Sequence, residues 1–330
     1  MDILVFGGAT NDLYVPLPDP IHIQTERKGK QAKKWLRIPY STKVLADGMV
    51  LGTGGGAANV AVGLSKLGHS VALAAMIGND VEGQLVLDNM KRAGVKTDCV
   101  KINKKEATGL SVDLTIPGED RTVIAQRGAN NHMDKVKWPL SKMTPRKAIV
   151  VMHLSGTSHR MLSQIRKIKK ANPELLLAWN PGSTQLTKGL KALQSTLKVT
   201  DILNLNEREA RELLGRSANR LSYQKVAAKI GEFGPKVVLI TRGRVGAYGW
   251  SAEEQAYAIP LPTKRLNVTG AGDSFTSGFV AGYLEHGDDI KKGLQYGTAN
   301  GSYVVTKVGA QHGLLTDKQI KRIARTVKFK

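Results

Sequence analysis

A glycine-rich turn followed by an acid occupies residues 267–282, NVTGAGDSFTSGFVAG. Gly270, Ala271 and Gly272 precede a run whose apolar positions fit one helical face, and Asp273 falls in its first turn. Small residues leave backbone N–H groups open to a ligand, and a helix N-terminus carries a partial positive charge. The pattern indicates a phosphate or oxyanion site beside a carboxylate that can accept a proton. The alternative is an ordinary first-turn acid stabilised by the helix dipole.

A second glycine cluster, VLGTGGGAANVAVGLSKLG at 50–68, contains the dinucleotide-binding pattern G-x-G-x-x-A as Gly52, Gly54 and Ala57. A dinucleotide-dependent oxidoreductase is therefore one alternative function, and a plain tight turn before a helix is another interpretation. Two features count against the cofactor. The acid that would bind its ribose, Asp80, comes after the predicted strand rather than at its tip, and the pattern does not follow the first strand, 2–6.

The elements that must position these clusters alternate between apolar runs and segments of helical period. Continuous apolar strands separated by helices are typical of a mostly parallel sheet covered on both faces. The sequence therefore predicts an α/β doubly wound fold with ligands at the carboxyl ends of its strands. The predicted strands are 2–6, 70–77, 147–154, 175–179, 199–205 and 236–241, and the predicted helices lie in AANVAVGLSKLG, VEGQLVLDNMKRAG, SHRMLSQIRKIKKAN, EREARELLG and SYQKVAAKIGEFG.

Two stretches interrupt this alternation. Residues 13–50 are rich in Pro, Lys and Arg and hold no long helix pattern, and residues 100–128 have the pattern of short strands joined by turns. Both are expected to form one small sheet that stands off the main domain as a lid, so that 1–330 is a single domain. The series Gly293, Gly297 and Gly301 predicts close packing of one helix against another.

Composition narrows the function classes. With 330 residues, 41% of them hydrophobic, the chain can bury a large core, and its single cysteine excludes an internal disulfide. The start, MDILVFGGA, has neither a signal peptide nor a membrane span, so a cytoplasmic protein without membrane association is expected. A net charge of +22 leaves a basic nucleic-acid-binding protein as another alternative. Only 5% aromatic residues, with no RNP-like motif or zinc-finger spacing, disfavour it.

The two glycine clusters together resemble the two signatures of the ribokinase-like (PfkB) sugar kinases. GGGAANVAVGLSKLG is similar to the first signature and NVTGAGDSFTSGFVAG to the second, and weaker matches extend the resemblance over nearly the whole chain. The resemblance implies a three-layer α/β domain with a small β-sheet lid. The weaker matches are IGNDVEGQLVLDNMKRAGV (77–95), TGLS (108–111), RGAN (127–130), NLNEREARELLG (204–215), ITRGRVGAYGW (240–250) and TKVGAQ (306–311).

This resemblance implies an activity. The family moves the γ-phosphoryl group of a nucleotide, usually ATP with Mg²⁺, to a hydroxymethyl group of a sugar, sugar acid, nucleoside or vitamin. Asp273 matches the family's general base, which takes the proton of the attacking hydroxyl. The amides of Gly270, Ala271 and Gly272 would then stabilise charge on the transferring phosphoryl group.

The resemblance also implies nucleotide and metal positions. Asn206 and Glu209 match the family's N-x-x-E element, which lies near the phosphates and orders Mg²⁺ partly through water. Thr241 and Gly243 match the loop that approaches the nucleotide phosphates, and Asn300 lies where some members contact adenine. For Glu209 the alternative is an exposed helix acid paired with a neighbouring arginine.

Acceptor residues are implied in the same way. Asp12, in GGATND, matches the acid that grips sugar hydroxyls in this family, and Gly55 and Asn59 of the first signature would line the same pocket. Carboxylate and amide groups suit adjacent hydroxyls, and such a site rejects analogues that lack them. For Asp12 the alternative is a surface turn.

Three departures from the family pattern bear on substrate and cation. Gly56 replaces the lysine that is usual in ribokinases proper, so ribose is not the expected acceptor. Asn267 replaces an aspartate that helps to bind a monovalent cation, and losing that charge puts potassium activation in doubt. The basic segment 18–48 is open to three interpretations: an enlarged lid, a dimer surface or an anion-attracting rim. We predict a kinase for a sugar or sugar acid ahead of a nucleoside, with a homodimer through the lid as one expected assembly.

Overall fold

Strands and helices alternate along most of the chain. The computed structural model describes residues 1–17, 21–28, 31–46, 48–116, 121–138 and 143–330. Within them the strands are β1 (Ile3–Phe6), β2 (Thr10–Pro16), β3 (His22–Lys28), β4 (Gln31–Arg37), β5 (Val50–Gly54), β6 (Val71–Ala74), β7 (Met76–Gly78), β8 (Lys101–Asn103), β9 (Gly109–Thr115), β10 (Arg121–Gln126), β11 (Ala148–Val151), β12 (Leu176–Trp179), β13 (Ile202–Asn206), β14 (Val237–Thr241), β15 (Ala247–Trp250) and β16 (Gln255–Ala258). The α-helices within the same residues are α1 (Gly56–Lys66), α2 (Val81–Arg92), α3 (Met161–Ala171), α4 (Ser183–Leu186), α5 (Gly189–Leu197), α6 (Glu207–Leu214), α7 (Tyr223–Gly231), α8 (Ala271–Glu285), α9 (Ile290–Val304) and α10 (Asp317–Ile323). Short 3-10 helices lie at Gly128–Lys135, Gly156–Arg160, Arg216–Arg220 and Ala324–Thr326.

Eight of the described strands form the main sheet, in the order β16-β15-β14-β13-β12-β11-β1-β6. Neighbours from β14 to β6 are parallel, and β15 and β16 add an antiparallel edge. This confirms the predicted doubly wound α/β fold. Because strand order reverses at β1, the crevice at the carboxyl ends of β1 and β11 is the expected ligand position.

One predicted strand of the main sheet needs correction. The apolar run 70–77 is not continuous, because β6 ends at Ala74 and β7 begins at Met76. Strand β7 leaves the main sheet and pairs in parallel with β8, with Met76 opposite Lys101. An unbroken apolar run carries no signal for such a change of sheet.

Helices cover both faces of the main sheet, which gives three layers. Alternate residues of β1 face opposite sides: Ile3 and Val5 belong to one buried cluster, and Leu4 and Phe6 belong to another. The first cluster includes residues of α1, α2, α8, α9 and α10, and the second includes residues of α3, α5, α6 and α7. Burial of each large apolar side chain stabilises the fold by about 1.5–3 kcal/mol. The fully buried strand β1 therefore fixes the position of the loop that follows it.

A smaller sheet has the strand order β10-β9-β2-β5. Strand β2 runs antiparallel to β5 and parallel to β9, which places Asp12 opposite both Gly52 and Ser111. The sheet thus brings together segments that are far apart in the sequence, around the predicted acceptor residue Asp12.

The segments predicted as a lid, 13–50 and 100–128, both contribute to this smaller sheet. Strand β2 begins earlier than expected, at Thr10, and β5 ends later, at Gly54. Strands β3 and β4 instead form a separate hairpin, and β8 pairs with β7. Residues 18–20, 29–30, 47 and 117–120 of these segments lie outside the described residues.

Helices α8 and α9 pack against each other with their backbones close together. A Cβ at Gly278 would lie 2.6 Å from Tyr296 O, and a Cβ at Gly297 would lie 2.9 Å from Phe275 O. A side chain at either position would push the helices apart. The close packing predicted from the series that begins at Gly293 is therefore confirmed. Among the described residues, no helix is both long enough and apolar enough to cross a bilayer.

Candidate active site

The turn before α8 has the geometry of an anion site. Gly270 caps the helix in the left-handed conformation, with φ 79° and ψ 1°, and Ala271 then begins the helix. A left-handed residue followed by helical residues points successive N–H groups into one concavity, where an anion can bind. The amide of Ala271 also donates to Val268 O at 3.3 Å, so the Gly272 amide is the less committed donor.

Asp273 lies one residue further into α8 and is held by the second glycine cluster, 50–68. Asn59 Nδ2 donates to Asp273 Oδ2 at 2.8 Å. A Cβ at Gly56 would lie 3.4 Å from Asp273 Oδ1, so the start of α1 contacts the other carboxylate oxygen. Helix α1 is capped by Gly55, one of the predicted acceptor residues. The N-termini of α1 and α8 therefore converge on one carboxylate.

The surroundings of Asp273 change its acidity. Burial raises the pKa of Asp273 to about 6, and the nearby negative charges of Asp12 and Glu209 act in the same direction. The hydrogen bond from Asn59 and the positive charge of Arg121 partly offset this rise in pKa. A carboxyl group with a pKa near 6 is about nine-tenths ionised at pH 7 and still holds a proton well, which suits a general base.

Asp12 is buried, with 6% of its surface exposed, which excludes the surface-turn alternative. Its Oδ1 accepts hydrogen bonds from Thr10 Oγ1 at 2.9 Å and Ser111 Oγ at 2.6 Å, and its Oδ2 accepts one from Tyr14 at 3.4 Å. The carboxylate lies over Gly54, where a Cβ would overlap it. The smaller sheet thus places three hydroxyl groups around the Asp12 carboxylate.

A second acid of the smaller sheet, Asp113, joins that sheet to the anion turn, and no motif in the sequence pointed to it. Thr269 Oγ1 donates to Asp113 Oδ2 at 2.8 Å, and Arg121 Nε lies 3.5 Å from the same oxygen. Burial raises the pKa of Asp113. Through these contacts β9 and β10 place the Arg121 charge where it acts on Asp273. Asp113 and Arg121 lie on the paired strands β9 and β10, whereas Thr269 is 156 positions from Asp113, so no local motif marks the contact.

Two further amide side chains continue the contact between Asn59 and Asp273. Gln311 Nε2 donates to Asn59 Oδ1 at 2.9 Å, and Asn89 Nδ2 donates to Gln311 Oε1 at 2.8 Å. Asn89 stands in IGNDVEGQLVLDNMKRAGV and Gln311 in TKVGAQ, both weak family matches in the sequence, but neither residue was assigned a role there. The side-chain amides of Asn89, Gln311 and Asn59 therefore form a hydrogen-bonded chain that ends at the Asp273 carboxylate.

A cavity of about 170 Å³ lies beside the anion turn, between the β14–β15 turn, α8 and α9. It is lined by the predicted nucleotide residues Thr241 and Gly243 and also by Gly272. Mostly apolar walls next to an anion turn suit a nucleotide base that is followed by phosphates.

The structure does not place Asn300 in this cavity. Asn300 is fully buried, and its Nδ2 donates to Ser274 O at 3.0 Å and to Ser277 Oγ at 3.1 Å. Its Oδ1 accepts a hydrogen bond from the Leu315 amide at 3.0 Å. The predicted adenine contact therefore needs correction: the Asn300 amide ties α9 to α8, and its neighbour Gly301 lines the cavity.

Asn206 and Glu209, the predicted metal residues, cap helix α6. Asn206 Oδ1 accepts a hydrogen bond from the backbone N–H of Glu209. In return, Glu209 Oε2 accepts one from the backbone N–H of Asn206, and both distances are 2.9 Å. The arginine pairing considered for Glu209 belongs instead to Glu207, which contacts Arg211 and Arg242 at 2.7 Å each. Burial raises the pKa of Glu209.

The Asn206–Glu209 pair has the donors that Mg²⁺ prefers. The cap uses one oxygen of the Glu209 carboxylate, and a carboxylate with an amide oxygen beside it suits a hard cation that keeps several waters. Among the described residues, no group of three or more His, Cys, Asp or Glu side chains could hold a metal. The remaining ligands would therefore come from phosphate oxygens and water.

The dinucleotide-binding alternative does not fit the structure. The pattern's glycines Gly52 and Gly54 lie within β5, a strand of the smaller sheet, rather than after a strand of the main sheet. Asp80 caps α2, and its carboxylate accepts hydrogen bonds from the Gly83 and Thr108 amides at 2.8 and 2.7 Å. Both parts of the pattern that would hold the cofactor are therefore committed elsewhere.

Known proteins that are similar to this chain include sugar kinases and a nucleoside kinase. The chain is 25% identical to ribokinase of Haemophilus influenzae, over 86% of this chain and 92% of the relative. It is 26% identical to 5-dehydro-2-deoxygluconokinase of Clostridium perfringens, over 83% of this chain and 84% of the relative. Among solved structures, Arabidopsis thaliana ribokinase complexed with ribose and ATP matches with a TM-score of 0.78 and 23% identity, covering 98% of each chain. The nucleoside kinase of Methanocaldococcus jannaschii matches with a TM-score of 0.75 and 20% identity, also over 98% of each chain.

The three-layer fold and the carboxylate at an anion-binding turn define the class as a phosphotransferase with an alcohol group as acceptor. The profile of the pfkB family carbohydrate kinases matches residues 27–317. The chain belongs to that family.

Proposed function

We propose that this protein transfers the γ-phosphoryl group of ATP to a hydroxymethyl group of a sugar or sugar acid, with Asp273 as general base. The observation that carries the proposal is the convergence of two helix N-termini on Asp273, whose pKa burial raises to about 6. The general base can then act on the acceptor oxygen while the anion site holds the phosphoryl group that this oxygen attacks, as in-line phosphoryl transfer requires.

The proposed phosphoryl transfer forms one bond, breaks one bond and moves one proton. The acceptor oxygen forms a bond to the γ-phosphorus, the bond from that phosphorus to the leaving oxygen of ADP breaks, and the hydroxyl proton moves to Asp273. Because an alcohol is a weak acid, alignment of oxygen and phosphorus should supply much of the rate, with proton removal late. The amides of Gly270, Ala271 and Gly272 would stabilise the charge that spreads over the phosphoryl oxygens.

The donor half of the site is proposed from the cavity beside α8. The nucleotide base would lie between Thr241, Gly243 and Gly301, with its phosphates directed to the Gly272 amide. Asn206 and Glu209 would hold Mg²⁺, partly through water, and the ion would neutralise charge on the phosphates. Solved relatives support this donor, because one ribokinase of the same fold is complexed with ATP.

The acceptor half is proposed from the smaller sheet, acting as a lid. Asp12 with its surrounding hydroxyls, Asn59 and the start of α1 at Gly55 offer polar groups to neighbouring sugar hydroxyls. Arg121 contributes a positive charge near Asp273, which favours a sugar acid over a neutral nucleoside. Relatives named ribokinase and 5-dehydro-2-deoxygluconokinase support the same substrate classes.

A homodimer through this sheet stays a prediction. Leu51 of β5 and Val123 and Ile124 of β10 are exposed, at 56%, 45% and 62%. The strand register places Leu51 and Ile124 on the same face of this sheet, opposite to Val123, and exposed apolar side chains on one face suit a second copy of the chain. Sedimentation of the wild type against Ile124→Lys tests this, since a dimer through the sheet should dissociate in the variant.

The experiment that tests the function is phosphoryl transfer from Mg-ATP across a panel of sugars, sugar acids and nucleosides, with Asp273→Ala alongside. A phosphorylated product that forms with one acceptor and is lost in the variant supports the proposal and identifies the substrate. Arg121→Met should raise the KM for a sugar acid and leave that for a neutral sugar nearly unchanged. Absence of nucleotide binding would overturn the proposal.

A further inference from the structure

A second, larger cavity lies behind the candidate active site. Its volume is about 500 Å³, and its walls come from α1, α2, the smaller sheet and the loop 309–312. This volume is within the usual range for small-molecule sites. Gln311 lines the cavity and reaches Asp273 through Asn59, so the cavity is separated from the candidate base by two hydrogen bonds.

The lining of this cavity is basic. It contains Lys66, Arg92 and His312, and no aspartate or glutamate belongs to the lining that the structure describes. Lys66 stands in the last turn of α1, half-buried, and burial lowers the pKa of its ammonium group. Cations that face a partly desolvated space without a carboxylate favour an anion there.

Lys66 and Arg92 have only weak contacts with the protein. Lys66 Nζ donates to Gln311 O at 3.3 Å, and Arg92 Nε donates to Asp88 O at 3.4 Å. Among the described residues, no ion pair includes either cation. A guanidinium and an ammonium group across a cavity of this size match the charge and the oxygens of a phosphomonoester.

The amide chain connects the cavity to the candidate base with one polarity. Each amide N–H points toward Asp273: from Asn89 to Gln311, from Gln311 to Asn59 and from Asn59 to the carboxylate. Hydrogen bonds in such a chain strengthen one another. A ligand that engages Asn89 or Gln311 therefore changes how strongly Asn59 donates to Asp273.

We propose that this cavity is a second ligand site that binds a phosphomonoester, on a sugar or on a nucleoside, and that the amide chain transmits its occupation to Asp273. The binding part stands without the proposed kinase activity, whereas the consequence for catalysis rests on Asp273 as the base. An added anion disfavours a second negative charge nearby, and weaker donation by Asn59 acts in the same direction. Occupation therefore raises the pKa of Asp273 and slows turnover in mild acid.

Three charged side chains outside the basic cavity also act on the pKa of Asp273. The charged groups that face it are Asp12 of β2, Arg121 of β10 and Glu209 of α6. None of them lines the basic cavity, so substitutions there leave these partners in place. A change in the acidity of Asp273 on ligand binding would then report the amide chain and the added charge.

Calorimetry tests the binding. Glucose 6-phosphate and AMP serve as the two probes, with glucose and adenosine as phosphate-free controls. The double variant Lys66→Met/Arg92→Gln should weaken binding of the preferred probe at least tenfold, whereas Lys318→Met/Arg322→Gln, which removes two exposed charges from α10, should not. Equal binding by both double variants, or no binding of either probe at 5 mM, would overturn the site. The probe that binds distinguishes a sugar phosphate from a nucleotide.

Titration of the Asp273 side chain tests the coupling without any kinase assay. In ¹³C NMR of the aspartate carboxyl carbons, the Asp273 signal is assigned by its loss in Asp273→Asn. The bound probe should raise the titration midpoint by a few tenths of a pH unit. In Gln311→Met, which keeps Lys66 and Arg92, the probe should bind but move the midpoint less. A midpoint that the bound probe leaves unchanged in the wild type would overturn the coupling.

Discussion

Replacing Asp273 by asparagine should separate catalysis from stability. The amide keeps the shape of the side chain and can still accept the hydrogen bond from Asn59, but it cannot take the acceptor's proton. Turnover should therefore fall by about 10²–10⁴, the usual contribution of a general base, while nucleotide affinity stays nearly unchanged. The same change should make the fold more stable at pH 7.

The size of that stabilisation follows from the pKa of Asp273. A rise from 3.8 to about 6 on folding corresponds to about 3 kcal/mol, at 1.36 kcal/mol for each pH unit. Because Asp273 is only half-buried, solvent screening reduces this to about 1–2 kcal/mol. For a raised carboxyl pKa the cost is fully present above pH 6 and disappears as the pH falls toward 4. Asp273→Asn should therefore gain stability at pH 7.5 and lose that gain at pH 4.

Urea unfolding at the two pH values measures this gain, and turnover against pH measures the base. The control is Asp88→Asn, an exposed aspartate on α2, which should shift stability little at either pH. Wild-type turnover should fall about tenfold between pH 7 and pH 5, as Asp273 becomes protonated. Near-normal turnover in the asparagine variant, or a stability difference that is the same at both pH values, would refute the argument.

Three other substitutions test the remaining parts of the site. Glu209→Gln should raise the Mg²⁺ concentration needed for half-maximal rate without lowering stability, since glutamine also completes a capping box; an unchanged Mg²⁺ titration would count against the metal role. Gly272→Ala places a methyl group where no atom outside the adjoining turn of helix lies within 4 Å, so stability should rise by about 0.5–1 kcal/mol while the KM for ATP increases several-fold; an unchanged KM would contradict a phosphate at this turn. Gly54→Ala should displace the Asp12 carboxylate and raise the KM for the acceptor more than the KM for ATP, and equal effects on both would contradict separate halves.

The parts of the fold that a local pattern can encode were predictable from sequence. Continuous apolar runs separated by helices correctly predicted the parallel strands of the main sheet, because burial on both faces requires such runs. The break after Ala74 was not predictable, since the run stays apolar while the chain moves to another sheet. Strand pairing in the smaller sheet was equally hidden, because β2 meets β9 about a hundred residues later.

At the candidate site, the sequence pattern pointed to individual residues but seldom to their contacts. The helix start before Asp273 was predictable, because small residues before an apolar helical run are typical of a helix N-terminus that can face an anion. Asn300 was assigned to the nucleotide, yet its amide is used between two helices. Asn89 and Gln311 are 222 positions apart, so only the folded chain shows that their amides meet. Such long-range polar pairs carry no periodicity in the sequence.

The glycine contact between α8 and α9 also affects which substitutions the enzyme can tolerate. Where Gly278 lies against the Tyr296 carbonyl, the helix spacing is fixed by main-chain atoms rather than by adjustable rotamers. Substitutions in the apolar core can then be absorbed by side-chain repacking without moving the first turn of α8. A substitution in the core or in the smaller sheet of this chain should therefore leave the position of Asp273 nearly unchanged.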